Sequence, residues 1–339
     1  MKAVVIALAL IATGAVLYNH CATQTNQVDL GELWSAWKFQ HAKEYTVSEE
    51  SVRRAIFEEN YKMIQAHNAD ETQTFKKALN KFADLTGEEF KEAVRCMDKA
   101  SGVHDEYCPS AVNCPTFPKT SQTTWDWRTK GAVTPVKNQG QCGSCWAFST
   151  TGSLEGLYYL NKKVLLSFSE QQLVDCSSSC YGCNGCWPYV AMEYSAKHGM
   201  ALEKLYPYHA YQSQCNIPKN VSLINTNTGY ECVEQKSVEQ MQAAVVQQPV
   251  SIAVEADQSS FQFYSSGVVT SGCGDSLDHA ILIVGFDLTQ EGSNYWIVKN
   301  SWGADWGNQG YIWIGADDSA NQGYGVCGIL RCGTIPTNK

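Results

Sequence analysis

The chain has no basic run: its 25 Lys and Arg are outnumbered by 34 Asp and Glu, which leaves a formal net charge of −9. A nucleic-acid partner, which needs clustered positive charge, is therefore not expected. Also missing is an apolar run long enough to cross a bilayer, which takes about 20 residues. The longest run, Ala3 to Leu17, follows one early charge at Lys2 and stops at Tyr18-Asn19-His20. That layout reads as a secretory signal peptide over residues 1–22, with no membrane contact expected after its removal; no small-x-small pair marks the cut. There is no internal repeat. With 44% hydrophobic residues in 339, the chain can supply the cores of about two domains.

Cysteine, by contrast, is abundant, at 15 residues, ten of them between Cys142 and Cys327. In a secreted chain these read first as disulfides. Cys180, Cys183 and Cys186 in "CSSSCYGCNGC" have the spacing of zinc or iron–sulfur ligands, but the oxidising compartment favours disulfides there too. No metal site and no cofactor is expected.

From Leu30 to about Lys99 the composition is helical. Glu49, Arg53, Phe57, Asn60, Ile64 and Asn68 recur at steps of three and four, which lines them up on one helix face. Two of the six are apolar, so the face is more than a core stripe. Residues 101–124 turn to Gly, Ser, Pro, Cys and Thr, with prolines at 109, 115 and 118, and read as an exposed connector open to cleavage. Beyond it, a helix opening at Cys145 and a short one over Glu170–Cys176 are predicted. After Pro249, "VSIAVEA", "HAILIVGFD", "YWIVKNSW" and "GYIWIGA" carry the strand signature.

Ser144-Cys145 ahead of an apolar helical run places a thiol at a helix N-terminus, where the dipole and free N–H groups favour thiolate. Such a nucleophile needs a proton manager and an orienter. His279, in "DHAILIVGFD", and Asn300, in "VKNSWG", lie 134 and 155 residues downstream. A Cys142/Cys145 redox pair is the competing reading, but the short βαβ setting it needs is absent. His279 alone would read as a buried structural histidine and Asn300 alone as a turn residue.

These motifs resemble those of the papain-like cysteine proteases, close to the cathepsin L type. The resemblance runs from about Glu49 to Cys327. It rests on "DWRTKGAVTPVKNQGQCGSCWAFS", "FSEQQLVDC", "GCNGC", "DHAILIVGF" and "NSWGADWGNQGYIWI", with "ALNKFADLT" (Asn80, Phe82, Asp84) and the six-residue face matching the family's prosegment motifs. It implies an α+β fold in two domains, a helix-rich left domain and an antiparallel β-barrel-like right domain, with substrate between them. Residues 23–121 would be a helical inhibitory propeptide with its linker at 101–121, and 122–339 the mature peptidase. Cys145 would be the nucleophile, His279 the base that becomes the acid, and Asn300 the orienter. Gln139 and the Cys145 N–H would form the oxyanion hole. Trp302 would cover the His279–Asn300 contact, and Trp146 would pack beneath the active helix.

The resemblance also implies disulfides Cys142–Cys183, Cys176–Cys215 and Cys273–Cys327. Cys180, Cys186, Cys232 and Cys332 are left over, with three pairings if all four bond among themselves. Gly185 and Cys186 would line the substrate, with Cys186 in place of a glycine. Trp187, Pro188, Ala253, Leu277 and Ala280, closed by Cys332, would wall the pocket for the second residue before the scissile bond. Every one of these is apolar or weakly polar, so Leu, Val or Phe is expected there; a one-residue slip would bring in Arg331 instead. No paired-histidine insertion is present, which favours an endopeptidase. Expected partners are protein and peptide substrates, the chain's own propeptide and cystatin-type inhibitors, with the enzyme a monomer in a lysosome-like compartment or outside the cell. A catalytically dead homologue and an acyl transferase are the rival readings. Acid is expected to release the prosegment by protonating its own carboxylates, Asp84, Glu88, Glu89 and Glu92. Asn220 heads the one N-x-S/T sequon.

Overall fold

The computed structural model describes residues 28–94, 96, 114–289 and 293–338. The signal-peptide segment 1–22 and the connector residues 101–113 lie outside them. Among the described residues no helix is long and apolar enough to cross a membrane.

The described residues divide into two compact units, one ending at Glu58 and one beginning at Glu59. In the first, helix α1 (Leu30–Gln40) is capped by Asp29, whose carboxylate accepts from the N–H groups of Gly31 and Glu32. Its Trp34 and Trp37 stack at 5.2 Å, and Phe57, on helix α2 (Val47–Ala69), tilts against both at 5.1 Å. Glu50 fastens the pair by accepting from Trp34 Nε1 and Lys38 Nζ.

In the second unit, the far end of α2 uses its amide side chains as fasteners. Asn60 donates to the carbonyls of Ala83 and Leu85, and Asn68 exchanges two hydrogen bonds with the Lys77 backbone. That accounts for the polar character of this face. Strand β1 (Phe75–Lys77) and helix α3 (Gly87–Val94) follow, then strand β2 (Thr124–Asp126).

The helix-rich part is built on α4 (Cys145–Lys162), buried from Cys145 to Gly156, with α5 (Glu170–Cys176) and α6 (Pro188–His198) around it. Its core gathers Trp146, Leu154, Phe168, Leu173 and Ala191. Ser169 caps α5 through the Gln172 N–H. Gly152 and Gly156 let α4 approach the strand layer: a Cβ would meet Leu282 at 2.7 Å from the first and Pro249 at 2.6 Å from the second.

The strand-rich part holds β3 (Gly229–Val233), α7 (Val238–Gln247), β4 (Val250–Val254), α8 (Ser259–Gln262), β5 (Tyr264–Val269), β6 (His279–Asp287), β7 (Tyr295–Lys299), β8 (Tyr311–Gly315) and β9 (Gly333–Thr337). The sheet runs β1-β5-β8-β7-β6-β4-β9-β3, with β2 also on β6. Every pairing is antiparallel except β5–β8, which is parallel. Strand β1 thus extends the sheet at β5, Phe75 opposite Gly267.

Between the two parts lies a buried ionic seam. Lys137 bonds Glu155 at 3.0 Å and Glu170 at 2.6 Å, Thr134 and Thr151 donate to the same carboxylates, and Lys299 donates to Thr134. Burial disfavours the Lys137 cation, yet the two carboxylates outweigh it and hold its pKa above the ordinary lysine value. Removing one member would strand a buried charge, which typically costs about 3–5 kcal/mol.

Candidate active site

Cys145 is the first residue of α4, His279 the first residue of β6, and Asn300 follows the last residue of β7. Three element ends therefore converge. The His279 ring meets Asn300 Oδ1 through Nε2 at 2.8 Å and turns Nδ1 toward sulfur. Trp302 stacks on that ring, centroids 4.7 Å apart. Gln139 is held by its neighbours: its Oε1 accepts from Ser301 Oγ at 2.6 Å, and its Nε2 donates to the Cys142 carbonyl at 3.1 Å. One of the two Nε2 hydrogens satisfies that carbonyl, leaving the other available. The Ala280 N–H points at Cys145 Sγ, 3.1 Å away. Trp146 is fully buried and donates to the Gly182 carbonyl. With His279 buried, the loss of solvation outweighs the Asn300 bond and pushes its pKa down to about 4, so the ring is neutral in this state.

A sulfur 3.8 Å from Nδ1 belongs to Cys96, which is itself disulfide-bonded to Cys145. Sequence reasoning left Cys96 without a role, because a single cysteine in a helical prosegment carries no spacing signal. The two cysteines share an apolar cluster with Trp187, Ala253, Ala280 and Cys332, against which Leu277, Tyr189 and Val190 pack. Pro188 opens α6 beside it, buried, with its carbonyl accepting from Thr150. Tyr189 and Val190 are additions that the motifs did not announce. Arg331 lies outside that cluster: its guanidinium bonds the Asp275 carboxylate and carbonyl and sits over the Tyr324 ring.

The prosegment covers the site. Phe82 and Phe90 meet the Trp302 indole edge-on at 5.6 and 5.7 Å, and Lys81 donates to the Trp302 carbonyl. Asn80 donates to the Gln262 carbonyl and Lys91 pairs with Asp257. In this ion pair the cation stands on α3 and the carboxylate two residues before α8. Glu89 is engaged locally, closing a capping box with Thr86 at the start of α3.

Cys142 is bonded to Cys183, Cys176 to Cys215 and Cys273 to Cys327. The four leftover cysteines do not close among themselves: Cys180 bonds Cys186, but Cys232 bonds Cys114 in the connector. The connector, expected to be exposed, is tied down near its end: Phe117 is buried in the strand-side core and its N–H donates to Gln240. Cys332 is disulfide-bonded as well. The Cys180–Cys186 bond staples the loop containing Gly185, whose φ of 112° belongs to the glycine-favouring region.

Residues 121–337 match the papain family cysteine protease domain, and residues 34–90 match the cathepsin propeptide inhibitor domain (I29). The chain is 42% identical over 316 residues to digestive cysteine proteinase 2 of Homarus americanus, covering 89% of this chain and 94% of the relative. It is 40% identical over 338 residues to a cathepsin L-like peptidase of Aedes aegypti, covering 92% and 95%. Among solved structures, a recombinant stem bromelain precursor superposes with a TM-score of 0.81 at 34% identity, covering 92% of this chain and all of that one. Procathepsin L 3 of the Tenebrio molitor larval midgut gives 0.80 at 36%, with 92% and 100% covered. The protein belongs to the papain family of cysteine proteases and carries its inhibitory propeptide domain in the same chain.

Proposed function

We propose that the protein is a secreted cysteine endopeptidase zymogen in which Cys145 is the nucleophile, His279 its proton carrier and Asn300 the orienter. The observation that carries this reading is the His279 ring held between Asn300 Oδ1 at 2.8 Å and the sulfur pair at α4's N-terminus. Once the prosegment leaves, the Cys145 thiolate attacks the scissile carbonyl carbon. The oxyanion so formed is met by Gln139 Nε2 and the Cys145 N–H, and His279 Nδ1 delivers its proton to the leaving amine. Water activated by the now neutral imidazole then hydrolyses the thioester. Cys145 is preferred to Cys96 because it opens a helix and lies inside the matched protease domain; Cys96 precedes that domain.

The signal peptide is assigned to residues 1–22, the propeptide to 23–121 and the mature enzyme to 122–339. The enzyme acts in a lysosome-like compartment or outside the cell, as a monomer open to cystatin-type inhibitors. Gly185 and Cys186 would bind substrate main chain. The apolar cluster of Trp187, Ala253, Ala280 and Cys332, with Leu277 packed on it, supports a preference for Leu, Val or Phe at the second position before the cut. Burying such a side chain gains about 1.5–3 kcal/mol, whereas an unpaired buried guanidinium costs several. Values of kcat/KM for matched peptides with Leu, Arg and Glu there test this. Leu is expected to lead by at least about tenfold, as 1.4 kcal/mol implies, and equal cleavage of the Arg or Glu peptide would refute it.

A further inference from the structure

We propose that Cys96 is a redox latch on the nucleophile: in the oxidised precursor it is joined to Cys145 by a disulfide, so that release of active enzyme requires a thiol reductant as well as removal of the prosegment. The latch rests on the reading of Cys145 as nucleophile. The two Cα atoms are 6.0 Å apart, inside the range of about 4.4–6.8 Å that disulfides span.

The prosegment is built to deliver this sulfur. Phe90 on Trp302 and the Lys91–Asp257 pair anchor α3, which ends at Val94. Two residues later the Cys96 N–H donates to the Asp278 carbonyl at 3.3 Å, directly before His279. Cys96 is 1% exposed and Cys145 fully buried. A steric plug would need no sulfur at that place. Nor, among the described residues, does the peptidase part offer Cys145 another partner: Cys142, Cys176, Cys180 and Cys273 are bonded to Cys183, Cys215, Cys186 and Cys327, Cys232 to Cys114, and Cys332 is disulfide-bonded too. Cys96, Cys145 and His279 also place three ligand atoms within 4.8 Å of one another. A structural zinc takes four ligands, however, and this group among the described residues supplies three, so a disulfide is the better account.

Release is a two-electron exchange. A thiolate of a small-molecule thiol or dithiol attacks Cys96 Sγ, the Cys96–Cys145 bond breaks, and Cys145 departs as thiolate. A second thiolate displaces Cys96 from the mixed disulfide. Two thiols become one disulfide, and their electrons end on the two cysteines. Attack at Cys96 is the favoured direction, because a thiol stabilised as thiolate at a helix N-terminus is the better leaving group. Both sulfurs are buried, so the prosegment must first loosen.

The test uses the full-length precursor, secreted by an oxidising host and purified without thiols. Free thiols are trapped with N-ethylmaleimide in acid denaturant, and the digest is mapped without reduction. A peptide pair joined through Cys96 and Cys145 is expected; both recovered alkylated, or zinc retained in native mass spectrometry, would overturn the latch. In the second arm the precursor is cut by an added protease at fixed pH, with or without a dithiol, and then given an epoxide-type thiol label. Both proteins carry Cys114→Ser and Cys232→Ser, so that this second disulfide does not hold the cut segment; the one with Cys96 intact is expected to need the dithiol for at least about tenfold more labelling, and the one with Cys96→Ser to label without it. Equal dependence in both would overturn the proposal, and if Cys96→Ser does not fold, the mapping of wild type still decides. Reduced, processed wild type that takes no label at Cys145, with the disulfide found, would instead sink the nucleophile assignment and with it the purpose of the latch.

Discussion

Trp302 lies face to face with His279, planes 25° from parallel, while Phe82 and Phe90 of the prosegment meet the same indole edge-on. One indole therefore shields the histidine and seats the inhibitor. Phe82→Ala or Phe90→Ala should remove on the order of 3 kcal/mol of buried packing. The expected outcome is a precursor that matures faster at neutral pH than wild type, followed by band shift over time; unchanged maturation would mean that docking does not depend on this cluster.

Acid acts on two neighbours with opposite sign. Burial, opposed by the Asn300 bond, holds His279 at about 4, below the ordinary histidine value of 6.5. A ring that charges more easily when exposed destabilises the closed state as pH falls from 6.5 toward 4. Burial, opposed by the Ala256 N–H, raises Asp278 from 3.8 to about 8. Its contribution is fully present below 3.8 and is lost as pH rises through 8. In a non-cleaving Cys145→Ala background, adding Asp278→Asn should leave a midpoint difference from its parent that changes between pH 4 and pH 9, the parent being relatively most stable in acid. Adding His279→Phe should reduce acid-driven exposure of the prosegment, measured by hydrogen exchange. Parallel pH profiles for parent and variants would contradict both assignments.

A cut at the proposed boundary near residue 121 does not free the connector, because Cys114 is bonded to Cys232. Cleaved protein should lose its Cys114-containing fragment on a denaturing gel only after reduction. A fragment that leaves without reductant, with Cys114 intact on it, would contradict this bond.

Gln139 and Asn300 serve different steps. Gln139→Ala removes one oxyanion donor and should lower kcat by about 10²–10³. Asn300→Ala leaves the base present but unheld, and a misplacement of that kind costs roughly 10². Steady-state kinetics on a Leu peptide check both, and a Gln139→Ala enzyme within about twofold of wild type would remove that residue from the oxyanion hole.

The fold and family were legible because their carriers are local: the run from Asn138 to Ser149, the strand pattern after Pro249, and the turns that follow β7. The pairing of β1 with β5 and the bonds from Cys96 and Cys114 were not. They join residues 49 and 118 positions apart for the two disulfides, and a lone cysteine has no periodicity to betray its partner. The helix face of α2 was visible as a pattern, but its use was not, since Asn60 and Asn68 bind backbone carbonyls rather than side chains. The long-range ion pair Lys91–Asp257 was not legible either, since a local run of Glu indicates charge but not what the fold places opposite a lysine.

The most direct measurement is mass-spectrometric localisation of an epoxide-type thiol label on processed, reduced enzyme, run beside peptide turnover. The account predicts one label per molecule, on Cys145, with activity lost in proportion. Label on another residue, or full activity with Cys145 labelled, would contradict it.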